Sequence, residues 1–191
     1  MSPLGFLREY LRNWKSVGAV APSSQALARL MMSAAGVRNA SHVLELGPGT
    51  GAFTQAIAES KPERAGYVGI EMNGEFVTSL RQRFPTLDFH QAAAQQFDFD
   101  GVGHGGAPFD VIISGLPWAA FPAELQSAIL DHVLPRLATE GRFATFAYWG
   151  FHKLPGGCRF RALLEQRLRN VELSPVVWGN LPPAFVYVGR K

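Results

Sequence analysis

The sequence predicts an α/β protein, a mostly parallel sheet of seven strands with helices on both faces. Three observations predict it. From Ser41 onward, short apolar runs suited to strands alternate with stretches of helical spacing. The first run leads straight into Gly47-Pro48-Gly49-Thr50-Gly51 and then into a helical stretch. The second run ends on an acid, Glu71, about 20 residues beyond that turn.

Residues 1–22 come first and stand apart. Phe6, Leu7, Tyr10, Leu11 and Trp14 recur at helical spacing, with Arg8, Arg12 and Lys15 among the polar positions, until Pro22 breaks the pattern. Ser23 or Ser24 can cap a helix over Gln25–Ala35, and Gly36 ends it. His42–Leu46 reads as a buried strand, and the glycine turn delivers the chain to a helix over 52–59. Gly66–Glu71 is a second strand, followed by a helix over 74–84 that Pro85 stops. A weaker strand covers 87–91 and a fourth Phe109–Ser114. A helix then runs over 123–137, a fifth strand over 141–148 and a helix over 160–168. Two late strands lie around 171–177 and 184–188. The chain thus divides into an amphipathic arm, 1–22, and one domain, 23–191.

With 191 residues, 47% of them hydrophobic and 17% charged, the chain has a core to bury and is too apolar for disorder. The lone Cys158 excludes an internal disulfide and a cysteine-rich zinc site; it suits a reducing cytoplasm, and no metal is expected. Arg8, Glu9, Arg12 and Lys15 interrupt the first apolar run, so it does not read as a secretory signal. No stretch reads as a membrane span. A net charge of +3 permits contact with anionic lipid or nucleic acid and requires neither.

The turn carries the chemistry. Glycines allow positive φ and close backbone approach to a ligand, and the following helix offers free amides and the positive end of its dipole. The order Gly-Pro-Gly-Thr-Gly differs from the dinucleotide pattern, and no phosphate-binding lysine follows it. Glu45, on the strand before the turn, would repel a pyrophosphate. It suits a cationic ligand, such as one bearing a sulfonium and an ammonium group. Glu71 occupies the position that accepts hydrogen bonds from ribose hydroxyls. A plain strand-to-helix turn is the alternative reading.

The run 44–51, with Gly69-Ile70-Glu71-Met72-Asn73, resembles the first two motifs of the class I S-adenosylmethionine-dependent methyltransferases, which share a Rossmann-like fold. The resemblance implies that the turn 47–51 holds the amino-acid part of S-adenosylmethionine and Glu71 its ribose, with S-adenosylhomocysteine as product. The cofactor contacts it implies are Glu45, Gly47, Gly49, Thr50, Gly51, Thr54, Glu71, Met72, Ala93, Ser114, Gly115 and Leu116. One departure stands out. The acid that many members place after strand three is missing from His90-Gln91-Ala92-Ala93-Ala94-Gln95, so adenine falls to backbone groups or to Gln95 or Gln96.

After strand four comes Ser114-Gly115-Leu116-Pro117-Trp118. It resembles the Asn-Leu-Pro-Tyr segment of ribosomal RNA adenine dimethylases but lacks the leading Asn. Only backbone carbonyls and the Ser114 hydroxyl remain as acceptors for an amine. Val17-Gly18-Ala19-Val20-Ala21-Pro22-Ser23-Ser24 together with Ser114-Gly115-Leu116-Pro117 is similar to the bacterial phospholipid N-methyltransferases of the soluble, rRNA-methylase-like type. That resemblance implies stepwise methylation of phosphatidylethanolamine towards phosphatidylcholine. The implied setting is the cytoplasmic face of the membrane, with membrane phospholipid and an anionic lipid surface as partners, no nucleic acid and no obligate protein. The arm can lie in a bilayer interface, each basic residue near anionic lipid adding about 1 kcal/mol. Tyr148 and Tyr10 are the candidate proton acceptors, with Pro117 beside the transferred methyl and His152 a weaker candidate. Trp14, Lys15 and Trp118 are the candidate substrate contacts. Phe121, Trp149 and Phe151 could join Trp118 and Tyr148 in holding a methylated ammonium, and Arg159 or Arg161 could meet a lipid phosphate. An RNA adenine dimethylase is the competing expectation; it would call for a basic RNA-binding face and a helical extension after the last strand.

Overall fold

A computed structural model describes residues 24–102 and 106–191. The arm, with Tyr10, Trp14 and Lys15, lies outside the described residues. Helix α1 (Gln25–Ala35) starts on the Ser24 side chain, which accepts from the Leu27 amide, and ends on Gly36 in the left-handed conformation. The chain continues as β1 (His42–Leu46), α2 (Ala52–Ser60), β2 (Gly66–Glu71), α3 (Gly74–Arg83), β3 (Asp88–Gln91) and β4 (Phe109–Ser114). It closes with α4 (Ala123–Val133), β5 (Leu137–Tyr148), α5 (Pro155–Arg167), β6 (Arg169–Leu173) and β7 (Ala184–Arg190).

The strands form one seven-stranded sheet in the order β3-β2-β1-β4-β5-β7-β6. Strands β1 to β5 are parallel, and β7 runs antiparallel to both β5 and β6. The strand order reverses between β1 and β4, where Leu46 lies beside Ser114. In an open α/β sheet a ligand binds outside the carboxyl ends of the strands at such a point.

Side chains alternate across each strand, so β1 serves two cores. Leu44 and Leu46 join the core beneath α4 and α5, with Ile112, Trp118, Phe143, Phe160 and Tyr187. Val43 faces the core beneath α1, α2 and α3, with Leu27, Met31, Ile57, Tyr67 and Phe89. Glu45 shares the face of Val43, and this puts a carboxylate inside an apolar layer.

The largest departures from the expected boundaries fall at three places. Helix α4 stops at Val133; a 3-10 turn spans Leu134–Arg136, and β5 begins at Leu137 rather than 141. Pro135 cannot continue an α-helix, having no amide to donate. Helix α5 begins at Pro155, five residues before the expected 160. Proline suits a first helical turn. The two glycines behind it, which argue against a helix locally, let the backbone press against the chain: a Cβ on Gly156 would collide with the Ala119 carbonyl, and one on Gly157 would lie 2.6 Å from that of Phe151. Strand β6 covers Arg169–Leu173, and Val177 makes only an isolated bridge to Ala184. Pro175 interrupts the ladder between them.

Candidate active site

The end of β1 turns through Gly47, Gly49 and Gly51, all with positive φ (66°, 57° and 85°), and the last of these caps α2. The turn is pinned from two sides. The Gly47 amide donates to the Ile70 carbonyl, and the Gly49 amide donates to Glu71 Oε2 at 3.0 Å. Glu71 Oε1 accepts from the Asn73 amide at 2.8 Å, so one buried carboxylate ties the turn to the end of β2. Burial pushes the Glu71 carboxyl above the usual range, opposed by the amides of Asn73, Gly49 and Met72.

Glu45 is fully buried at the foot of the turn. Its Oε2 accepts from Tyr67 Oη at 2.6 Å and Thr54 Oγ1 at 2.8 Å. Its Oε1 is buried with no partner among the described residues. Desolvation raises this carboxyl from 4.5 to about 7; the two hydroxyl donors oppose the shift and the nearby Glu71 charge adds to it. Thr54, expected among the cofactor contacts, spends its hydroxyl on this carboxylate. Sequence reasoning missed Tyr67. The signal was Gly69, which sits in register with Glu45 on the neighbouring strand and leaves room for the phenol: a Cβ there would lie 2.6 Å from Tyr67 Oη.

A second orphan acceptor lies beyond β3. Of the two glutamines available for adenine, Gln96 is exposed, whereas Gln95 is half-buried and its Oε1 is buried without a partner. Both orphans match a donor on S-adenosylmethionine: its ammonium at Glu45 and the adenine amine at Gln95. The residues present therefore fit the cofactor.

The turn also abuts the segment after β4. The Gly115 amide donates to the Leu46 carbonyl at 2.8 Å, and a Cβ on Gly115 would stand 2.6 Å from the Gly47 carbonyl oxygen. Gly47 in turn leaves space for Leu116, whose side chain would lie 2.6 Å from any Cβ there. The two glycines let the turn and the Ser-Gly-Leu-Pro segment touch. The Ser114 hydroxyl, expected to be available as an acceptor for an amine, is engaged within the protein. It accepts from Trp118 Nε1 at 3.0 Å and from the Leu116 amide at 3.3 Å, holding the segment in shape. Trp118 is buried and stacked on Phe160 with centroids 4.5 Å apart.

Beyond Leu116 and Pro117 opens a cavity of about 350 Å³. Its walls include Trp118, Phe146, Tyr148, Phe151, His152, Phe160 and Tyr187, and most of them are apolar. Of the expected aromatic set, Trp118, Tyr148 and Phe151 line it. Phe121 is buried beneath Trp118, and Trp149 lies outside, against Trp178. Tyr148 stands at the end of β5, edge-on to Phe146 and Phe151. His152 Nδ1 accepts from the Gly150 amide at 3.2 Å. Arg159 donates to Gln126 Oε1 and the Phe121 carbonyl, and Arg161 pairs with Glu165 on its own helix.

Comparison with known proteins agrees with this geometry. A family described as a methyltransferase domain matches residues 44–143, just over half of the chain. The chain belongs to this family. The ornithine lipid N-methyltransferase of Singulisphaera acidiphila is 31% identical over 190 residues, spanning 97% of this chain and 94% of that one. A ribosomal RNA small subunit methyltransferase A from Cupriavidus taiwanensis is also 31% identical, but over 93 residues, 48% of this chain and 30% of its own length. Among solved structures, the N-methyltransferase NodS of Bradyrhizobium japonicum in complex with S-adenosyl-L-homocysteine superposes with a TM-score of 0.66 at 18% identity, covering 87% of this chain and 84% of that one. The protein is a class I S-adenosylmethionine-dependent methyltransferase.

The raised Glu45 carboxyl sets a pH dependence. Between about 4.5 and about 7 the folded protein holds a proton that the unfolded chain has lost, so stability falls as pH rises through this window and levels off above it. Urea unfolding of the ligand-free protein should show this loss, on the order of 3 kcal/mol across the window. The variant Glu45→Gln should reduce it to the part that the raised Glu71 carboxyl contributes, and an unchanged slope in the variant would place the titration elsewhere.

Proposed function

We propose that this methyltransferase methylates the amine of a membrane lipid, namely phosphatidylethanolamine and its methylated intermediates, towards phosphatidylcholine. One observation carries the reading: the apolar cavity opens directly beyond Leu116 and Pro117, and Leu116 itself packs against Gly47 of the glycine turn. A substrate with a small amine and a long apolar body suits that wall chemistry, and a polyanionic RNA does not. The full-length likeness to an ornithine lipid N-methyltransferase supports a lipid amine as the acceptor class.

Each residue then has a task. Glu45, the carbonyls of the turn with Gly47, Gly49, Thr50 and Gly51, and Glu71 beside Met72 hold the amino-acid and ribose parts of S-adenosylmethionine. Gln95 and Ala93 meet the adenine, and Ser114, Gly115 and Leu116 close the site from β4. Bound there, S-adenosylmethionine supplies an electrophilic methyl on a sulfonium. The protein positions and desolvates the amine that receives it. Pro117 and Leu116 form a rigid, dry wall beside the nitrogen. Trp118, Tyr148 and Phe151 offer ring faces that favour a methylated ammonium over water. The ammonium headgroup must shed a proton before it attacks, and the Tyr148 hydroxyl, or Tyr10 from the arm, passes that proton to solvent. The arm, through Trp14 and Lys15, holds the enzyme at the cytoplasmic face of the membrane; its few apolar anchors, each worth about 1.5–3 kcal/mol, give reversible attachment.

Incubation with methyl-labelled S-adenosylmethionine and separate pools of phosphatidylethanolamine vesicles, ornithine lipid vesicles, RNA and small soluble amines should label the phosphatidylethanolamine pool. Label in RNA alone would overturn the reading, and label in ornithine lipid alone would move the acceptor within the lipid class. In the same assay Tyr148→Phe should slow the first methylation about tenfold or more while leaving S-adenosylmethionine affinity unchanged. A wild-type rate would remove Tyr148 from the proton path.

A further inference from the structure

Among the described residues six large apolar side chains stand exposed: Trp149, Phe151, Leu154, Leu173, Trp178 and Leu181. All but Leu173 belong to two loops, residues 149–154 after β5 and residues 174–183 between β6 and β7. The loops are joined. The Trp149 amide donates to the Pro183 carbonyl at 2.7 Å, and the Trp149 and Trp178 rings lie 5.9 Å apart. Phe151 and Leu154 from one loop and Pro182 from the other line the cavity, so the exposed patch is the cavity's own rim. Trp178 is 66% and Leu181 73% exposed, whereas most of the other aromatics among the described residues are buried.

The charge around the rim has one sign. No Asp or Glu occurs in residues 141–164 or in residues 173–191, the stretches that build it. Lys153 holds its Nζ 5.5 Å above the Trp149 ring, and His152 packs against the same ring. Tryptophans with a lysine beside them, and with acids excluded, form the composition that settles at the headgroup level of a bilayer. The start of α1 is tied to this same place: the Ser24 amide donates to Asn180 Oδ1 at 2.8 Å, between Trp178 and Leu181 in sequence.

We infer that this rim is a bilayer-docking surface of the catalytic domain itself, distinct from the arm, which seats residues 149–154 and 178–181 in the interfacial layer of an anionic membrane and opens the cavity onto it. The inference rests on the lipid-amine reading for its purpose but not for its measurement. With the rim seated, a lipid headgroup reaches Pro117 and Tyr148 along an apolar wall without crossing bulk water. Lys153 meets the phosphate layer while its stem stays on Trp149.

The test uses the full chain and vesicles of phosphatidylethanolamine and phosphatidylglycerol in equal parts. The paired substitution Trp178→Ser with Leu181→Ser should weaken partition in a flotation assay about tenfold or more, since two exposed anchors are lost. The paired Trp178→Phe with Leu181→Met should retain it. Neither pair should change the melting temperature, because both side chains face solvent. On phosphatidylethanolamine dispersed as mixed detergent micelles, where no bilayer has to be found, the serine pair should methylate at the wild-type rate. Partition by the serine pair equal to wild type would overturn the docking surface and leave the lipid-amine reading standing. Loss of partition together with a wild type that methylates no lipid in any form would uphold the surface and overturn that reading.

Discussion

A carboxylate buried without a counter-charge among the described residues is the constraint on which this site turns. Glu45 sits inside the apolar layer between β1 and α2, where an isolated charge is costly. Tyr67 and Thr54 satisfy one of its oxygens and leave the other unpartnered. The result is a group poised near neutrality, which a cation at the turn would fix in its charged form. The first turn of α2 aids this, since its amide dipoles favour a negative charge at that end. In the proposed reading the glycine turn brings a ligand to this carboxylate. Glu71 matters because it holds the turn, through the Gly49 amide, at the edge where a ligand enters.

The same close packing links the glycine turn to the cavity. Gly47 and Gly115 each leave room that a methyl group would fill, and through that room the turn touches the Ser-Gly-Leu-Pro segment. Ser114 and Trp118 then work as a brace, with the indole N–H on the serine hydroxyl and the ring stacked on Phe160 of α5. A dry, rigid wall follows on the far side of Leu116, and the cavity lies beyond it. Positioning and exclusion of water are what a methyl transfer to nitrogen asks of a protein. The rim of that cavity, apolar and free of acids, is the part of the surface that the fold alone does not require.

Much of this was legible in the sequence because it depended on local pattern. The strand-turn-helix run at 42–60, the acid ending β2 and the alternation of strands and helices all follow from periodicity and from glycine placement. What was not legible depended on tertiary neighbours. Tyr67 reads as a strand residue until the register of β2 against β1 puts it beside Glu45. Ser114 reads as a free hydroxyl until Trp118, four residues on, folds back onto it. Helix α5 reads as starting late because Gly156 and Gly157 are poor helix formers, yet their packing against the chain near Ala119 and Phe151 secures the first turn. Pro175 and Pro135 moved two further boundaries for reasons the sequence does contain.

The central claim is that a cationic ligand is bound by driving Glu45 into its charged state. Calorimetric titration of S-adenosylmethionine at about pH 7, in buffers of different ionisation heat, reads that directly. Binding should release a fraction of a proton, seen as an enthalpy that depends on the buffer, and Glu45→Gln should abolish the release. Binding heats identical in all buffers, or a release that persists in the variant, would contradict the account.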